Sequence, residues 1–345
     1  MRISVVDPAA YTPPYDRALC AALAAEGLEV ELLTRRFRHG ETPAATPDYT
    51  VREDVFGASG RHPLAMATLG RRARGDVLHF QWLPLQELDR WLLPRGRPTV
   101  LTAHDVLPRH PRRFQRAAQL ALYRRVDAVV AHTAHSRARL AALGVPEQKL
   151  HHIAHGAFTH LATVAPVRPP ELTDPSRPVA MLYGLLRPYK GLDVLLEAWR
   201  GAVGEEAELW VVGAPRMALP ALPRGVRLVP RFVTEAESAW CFARADVVVL
   251  PYREIEGSGV LFTALGLGKA TIVSDVGGFA ELGDVVAHVP PGDPAALATE
   301  LTRLLSDPAA RSALERAAAA AAATRFAWGP IARAHAELYA GLRAA

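Results

Sequence analysis

Apolar and polar positions along this chain fall into two successive blocks with the same rhythm. In the first, a short apolar run from Arg2 to Val6 precedes a helical stretch from about Tyr15 to Glu26, which closes at Gly27. Strand-like runs follow at Val30 to Leu33, Asp76 to Gln81, Thr99 to Ala103 and Ala128 to Ala131, with helical stretches between several of them. The second block restarts with Val179 to Tyr183 and a helix at about Leu192 to Ala202. Further strands read at Leu209 to Val212, Val226 to Leu228, Val247 to Leu250 and Thr271 to Ser274. Strands alternating with helices predict parallel sheets covered on both faces, so the pattern implies an α/β chain of two doubly wound, Rossmann-like units in tandem.

Between the blocks, Pro166, Pro169, Pro170, Pro175 and Pro178 cluster without apolar periodicity, which marks a linker over 161–177. The expected units are 1–160 and 178–327, with a terminal crossover helix in 328–345 returning to the first. Seven consecutive alanines, Ala317 to Ala323, favour helix on propensity alone. Phe326 to Pro330 reads as a breaker before a last helix from Ile331 to Leu342.

Composition narrows the partners. No apolar run approaches the roughly 20 residues of a membrane-spanning helix, and Met1 to Asp7 reads as a strand rather than a secretory leader, so a cytoplasmic protein is expected. The only cysteines, Cys20 and Cys241, sit in Ala-rich helical surroundings and read as small buried hydrophobes, with neither a disulfide nor a metal site expected. The net charge of +5 is uneven: residues 1–170 carry 23 Lys/Arg against 15 Asp/Glu, and residues 171–345 carry 17 against 20. Within the basic half, Arg109, Arg112, Arg113, Arg116, Arg124 and Arg125 alternate with Phe114, Leu120, Leu122 and Tyr123. A solvated helix face explains this most simply, and peripheral contact with an anionic membrane is the second reading. No nucleic-acid partner is expected, because no recognition motif accompanies the charge.

In open parallel sheets ligands gather at the carboxyl ends of strands, where helix N-termini offer free N–H groups. The turn Tyr183-Gly184-Leu185-Leu186-Arg187-Pro188-Tyr189-Lys190-Gly191 follows a strand, leads into a helix and sets two cations three residues apart between glycines. Arg187 offers two parallel hydrogen bonds and Lys190 a point charge, the pairing a diphosphate needs. A second turn, Pro251 to Gly259, follows the apolar strand ending at Leu250. There Gly257 and Gly259 let backbone approach a ligand, Ser258 caps a helix, and Glu254 or Glu256 can accept hydrogen bonds from sugar hydroxyls. A third, Ser274 to Phe279, reads as structural support.

The segments Tyr183 to Ala198 (YGLLRPYKGLDVLLEA) and Ala245 to Glu281 (ADVVVLPYREIEGSGVLFTALGLGKATIVSDVGGFAE) resemble the nucleotide-sugar half of retaining glycosyltransferases of family 4, with the GT-B fold. The likeness extends to Asp76 to Trp82 (DVLHFQW), Thr102 to Pro108 (TAHDVLP), His152 to Gly156 and Val289 to Pro294 (VPPGDP). It implies two Rossmann-like domains facing each other across a cleft. It also implies transfer of a hexose-type sugar, from a UDP-sugar in preference to a GDP-sugar, to a hydroxyl of an unidentified acceptor, with no metal or other cofactor. By position it makes Arg187 and Lys190 the pair that neutralises the departing diphosphate. Gly257-Ser258-Gly259 matches the donor-phosphate and sugar loop, with Gly184, Tyr252, Glu254, Val260 and Thr263 as further donor-binding residues; Glu256 is expected to be catalytic with His104, Arg187 and Lys190, and Asp105 to lie on the acceptor side. His104 faces the transferred sugar with Asp105 orienting it, and His155 is structural or a hinge.

Two departures stand out. Family members carry two glutamates separated by seven residues; aligned on Gly268-Lys269, Thr263 replaces the second, and the first falls at Ile255, between Glu254 and Glu256. The N-terminal glycine loop is replaced by Asp7-Pro8-Ala9-Ala10-Tyr11-Thr12-Pro13-Pro14-Tyr15-Asp16, where Tyr11 and Thr12 are expected on the acceptor side and Asp16 as a helix cap. Two rival readings follow: a sugar-nucleotide epimerase of the same architecture, and a non-catalytic nucleotide-sugar-binding subunit.

Overall fold

A computed structural model describes residues 1–37, 48–57, 61–202 and 206–344. The chain divides into two compact units, Met1–Gly156 with Ala327–Ala345, and Ala157–Phe326. In the first unit the strands are β1 (Arg2–Asp7), β2 (Glu29–Thr34), β3 (Thr50–Arg52), β4 (Val77–Phe80), β5 (Thr99–Ala103), β6 (Ala128–Ala131) and β7 (Leu150–His152). All pair in parallel, in the order β3-β2-β1-β4-β5-β6-β7. Helices α1 (Pro13–Ala25), α2 (His62–Arg72), α3 (Gln86–Leu92), α4 (Gln115–Arg125) and α5 (Ala134–Ala142) cross between strands, and α11 (Trp328–Ala344) returns to pack on α1.

The second unit repeats the plan with β8 (Val179–Tyr183), β9 (Glu208–Val212), β10 (Val226–Val229), β11 (Val247–Leu250), β12 (Ala270–Ser274) and β13 (Ala287–Val289), ordered β10-β9-β8-β11-β12-β13. Its helices are α6 (Leu192–Ala202), α7 (Glu235–Arg244), α8 (Gly259–Gly266), α9 (Pro294–Ser306) and α10 (Pro308–Ala323). In both sheets the strand order reverses beside the first strand of the unit, at β1/β4 and β8/β11, where doubly wound folds leave a crevice at the carboxyl ends.

The inner strands are legible as apolar runs because helices cover both faces: every residue of β4, β5, β6, β9, β11 and β12 is buried. Helix starts are set by local chemistry. Thr234 and Glu237 form a reciprocal capping box on α7, and the Asp293 and Asp307 carboxylates accept the first N–H groups of α9 and α10. α11 begins three residues ahead of the expected last helix because Pro330 stands in its first turn, where a missing N–H costs nothing.

Residues 161–177, expected as a free linker, are held by the second unit. Val167 N–H donates to Ala236 O, Leu172 is buried, and Glu171 and Asp174 pair with Arg231 and Arg244. The prolines remove regular structure from this segment without freeing it.

The basic segment is likewise less available than its spacing implied. Its helix starts only at Gln115, and Arg109 pairs with Asp105, Arg112 with Glu87, while Arg124 and Arg125 donate to backbone carbonyls. Among the described residues no helix is long and apolar enough to cross a membrane.

Gly266 tests the packing under the second unit's crevice. Alanine normally stabilises a helix relative to glycine by about 0.5–1 kcal/mol, yet a Cβ here would collide with the Phe158 carbonyl. Gly266→Ala is expected to lower stability by about 1–3 kcal/mol in urea unfolding followed by circular dichroism; a raised midpoint would contradict the packing.

Candidate functional site

Close approach of three backbone segments builds the second unit's site. At the end of β8 the chain turns at Gly184 (φ 95°), and a Cβ there would stand 2.9 Å from Lys190 Nζ and 3.2 Å from Val260 Cγ2. Gly191 (φ 67°) lies against the Pro251 carbonyl and Gly213 (φ 145°) against the Gly184 carbonyl, where any side chain would overlap backbone oxygen. The turn after β8 and the turn after β11 are thus pressed together, and Arg253 N–H donates to Tyr189 O at 2.7 Å between them. Arg253 also forms a two-pronged ion pair with Asp193 of α6, at 2.8 and 2.6 Å.

Into this junction comes Lys190. It is buried, donates to Tyr183 O at 3.2 Å, and holds Nζ 5.3 Å from the centre of the buried Tyr252 ring. An ammonium removed from water needs oxygen ligands or anionic charge, and a carbonyl and an aromatic face are among the groups that it meets here. Arg187 stands three residues earlier in extended backbone, half-buried, and its guanidinium has no partner among the described residues. Facing the same junction, Ser258 caps α8 by accepting from Leu261 N–H at 3.4 Å. The first N–H groups of α8, from Gly259 onward, begin beside it, with Gly257 just ahead. Gly184, Lys190, Tyr252 and Val260, named separately from two turns of the sequence, therefore meet within one constellation.

The carboxylates sort by burial. Glu256 is 6% exposed and Ile255 before it is buried as well, whereas Glu254 is exposed, so the loop turns inward after Glu254 and Glu256 is the inward carboxylate. Thr263 donates to Gly259 O at 2.9 Å within α8. Its hydroxyl proton is used there and its oxygen is left as an acceptor.

In the first unit, side chains from the ends of β1, β4, β5, β6 and β7 form an aromatic and imidazole cluster. His104 is half-buried, stacked on Trp82 (centroids 5.1 Å apart, planes 10°), edge-on to Tyr15 (4.7 Å), and bonded through Nε2 to Gln81 Oε1 at 3.0 Å. Burial, followed by the neighbouring His132 and His155, holds its pKa well below the ordinary histidine value. It is therefore a neutral ring, suited to hydrogen bonding rather than to carrying charge. The Asp105 carboxylate pairs with Arg109 at 3.3 Å, and His104 Nε2–H donates to the Gln81 amide oxygen. His132 donates through Nδ1 to Ile153 O, and burial lowers its pKa to about 4. His155 donates to Gly156 O, whose Cα is packed flat against Trp328. Gln81, Trp82, Tyr15 and His132 were not singled out from the sequence as site residues; their only signal was position, at the ends of apolar runs.

The loop that replaces the family's glycines is organised by a carboxylate. Asp7 accepts from the N–H groups of Ala9 (3.1 Å), Tyr11 (2.7 Å) and Thr12 (3.3 Å). Asp16, expected as a helix cap, is instead buried inside α1 and hydrogen-bonds to Asp7, while Thr12 occupies the cap position. Two carboxyl groups in contact cannot both ionise. Asp7, with three N–H donors, carries the charge, and Asp16 carries the proton.

Residues 17–160 match the family described as Glycosyltransferase Family 4, and residues 177–307 match Glycosyl transferases group 1. The chain belongs to the family 4 glycosyltransferases. It is similar to a GDP-mannose:glycolipid 4-beta-D-mannosyltransferase of Xanthomonas campestris pv. campestris, 28% identical over 221 residues, which cover 61% of this chain and 57% of that protein. The chain thus aligns with little more than half the length of that relative. Among solved structures it resembles a sucrose-phosphate synthase of Thermosynechococcus elongatus (TM-score 0.76, 21% identity, 100% and 99% coverage). It also resembles Anabaena HepE in complex with UDP-glucose (TM-score 0.75, 18% identity, 99% and 100% coverage). Both likenesses are of fold: two Rossmann-like units of the GT-B type.

The carboxyl pair carries a pH signature. Burial, followed by the Asp7 charge, raises the Asp16 pKa well above its ordinary 3.8. The unfolded chain therefore loses this proton first, and the stabilisation tied to it, full below that value, declines as pH rises until the folded carboxyl ionises. Asp16→Asn keeps an N–H donor to Asp7 without a proton to lose. It is expected to match the parent near about pH 3 and to exceed it in stability at about pH 7; equal stability at both would remove the shared proton.

Proposed function

We propose that the chain transfers a hexose-type sugar from a nucleotide diphosphate sugar to an acceptor hydroxyl without a metal ion. The observation that carries this reading is the buried Lys190 ammonium at the β8/β11 crevice, beside an Arg187 that has no partner among the described residues and the capped start of α8. Negative charge grows on the leaving diphosphate as the glycosidic bond breaks. A guanidinium, an ammonium and helix N–H groups fixed in advance stabilise that transition state more than the ground state. Glu256 is the carboxylate placed to receive donor hydroxyls, and Thr263 offers an acceptor where the family's second glutamate holds the ribose.

Retention of anomeric configuration and a UDP-sugar donor come to this reading from the family likeness. A second reading, with GDP-mannose as donor and a β-linked product, is favoured by the name of the Xanthomonas relative. The one-bond C1–H1 coupling of the product separates the two stereochemical outcomes. Residence in the cytoplasm is part of the proposal. Peripheral contact with an anionic membrane would fall to Arg113 and Arg116 flanking Phe114, which is 67% exposed.

A thermal-shift panel of UDP, GDP and their sugars is expected to raise the unfolding temperature with one base and not the other, since a ligand bound only by the folded chain stabilises it. With the donor so found, Arg187→Ala is expected to lower kcat on the order of 10²-fold with a smaller change in KM. Unchanged turnover would remove Arg187 from the leaving-group role. Release of an isomerised donor without acceptor would favour an epimerase, and binding without turnover a non-catalytic subunit.

A further inference from the structure

After the first strand, this chain presents an aromatic surface. Tyr11 is 55% exposed, and its ring centre lies 4.5 Å from that of Trp82, with the planes inclined at 49°. Trp82 donates its single N–H to Thr12 Oγ1 at 3.1 Å and covers the His104 ring with its other side. With that donor used and one face stacked on His104, the half-buried indole meets a ligand only through the ring surface left open beside Tyr11.

The platform is rigid before any ligand arrives. The Tyr11 and Thr12 amides are fixed on Asp7, Ala10 is held in left-handed backbone (φ 48°), and Pro8, Pro13 and Pro14 flank the turn. An alanine in that region is strained and persists only where its surroundings impose it.

Unsatisfied polar groups stand behind the rings. Gln81 is 1% exposed, and its Nε2 has no partner among the described residues. Reversing the amide would only exchange which of its two polar atoms is left over, since His104 takes one of them. The Tyr15 hydroxyl and His132 Nε2 are also buried without partners, on rings packed within 5.3 Å of each other and against His104. His104, half-buried and bonded to Gln81, gives the rings a hydrogen-bonding rather than an apolar border, which suits a ligand that carries hydroxyls.

We infer that Tyr11 and Trp82 form a carbohydrate platform and that the acceptor is a sugar-terminated molecule whose terminal pyranose stacks on them. This rests on the transferase reading above and names the acceptor class for it. A pyranose has an apolar C–H face and an equatorial rim of hydroxyls, which suits two inclined rings bordered by Gln81 and His104. A planar base would need parallel faces, and a lipid chain would leave the polar atoms unmet.

Saturation-transfer NMR on the full chain with methyl α-D-mannopyranoside, methyl β-D-glucopyranoside and, as a planar control, uridine tests this. At least one pyranoside is expected to receive saturation on its ring C–H protons. Its apparent Kd should rise about five- to tenfold in Tyr11→Ala and stay near the parent value in Tyr11→Phe. Trp82→Phe, which keeps a ring but loses the bond to Thr12, should fall between them. Uridine alone being saturated, no pyranoside binding, or pyranoside binding unchanged in Tyr11→Ala would each overturn the platform. UDP and GDP thermal shifts run on the same samples keep the two readings apart: loss of nucleotide binding in the parent chain sinks the transferase, while loss of pyranoside binding alone sinks the platform.

Discussion

A lysine ammonium held beneath a tyrosine ring, at the point where two strand-to-helix turns touch, is the constraint around which the second unit is arranged. Burying Lys190 requires the turns after β8 and β11 to meet closely enough that backbone carbonyls and an aromatic face replace lost water. Glycines at 184, 191 and 213 make the meeting sterically feasible, since a Cβ at 191 or 213 would occupy the place of a carbonyl oxygen. The Arg253–Asp193 pair and the Arg253 amide then lock the turns together. What results is a concentration of positive potential at a helix start, which suits the phosphates of a nucleotide sugar before any substrate binds.

The first unit meets the same topological demand by other chemistry. A tight turn after β1 must satisfy several backbone N–H groups without a strand to pair them. Glycines would let the backbone fold on itself; here a buried carboxylate collects three of those N–H groups, and a second carboxyl, kept neutral by burial, shares its proton with the first. The turn becomes stiff and carries large side chains, so an aromatic ring stands exposed where a glycine turn would present bare backbone. Loss of flexibility and gain of a stacking surface are two results of one substitution pattern.

The sheets also explain how neutral histidines come to line this region. Parallel strands end at one edge, and His104, His132 and His155 each follow the last residues of β5, β6 and β7. Burial away from water holds all three below the ordinary histidine pKa, with His132 adding to the effect on His104 and His155, which leaves a group of hydrogen-bonding rings without net charge. Such a surface suits a neutral, hydroxyl-rich ligand, whereas the second unit's cations suit an anionic one.

Sequence by itself determined the alternation of strand and helix, the two-unit plan and the close spacing of two cations in one strand-to-helix turn. Strands such as Val247–Leu250, buried on both faces, can only be apolar runs, and the glycines and cations around Arg187 and Lys190 lie within nine residues of one another. Edge strands escaped it: Thr50–Arg52, Leu150–His152 and Ala287–Val289 are three residues each and partly solvated, so their composition resembles that of loops. The pairing of Asp7 with Asp16, the inward choice of Glu256 over Glu254, and the meeting of Tyr11, Trp82, His104 and Gln81 were decided by tertiary structure alone. The physical reason is that these contacts join the ends of different strands, tens of residues apart for Tyr11 and Trp82. Their energies depend on burial and proximity, which no local pattern encodes.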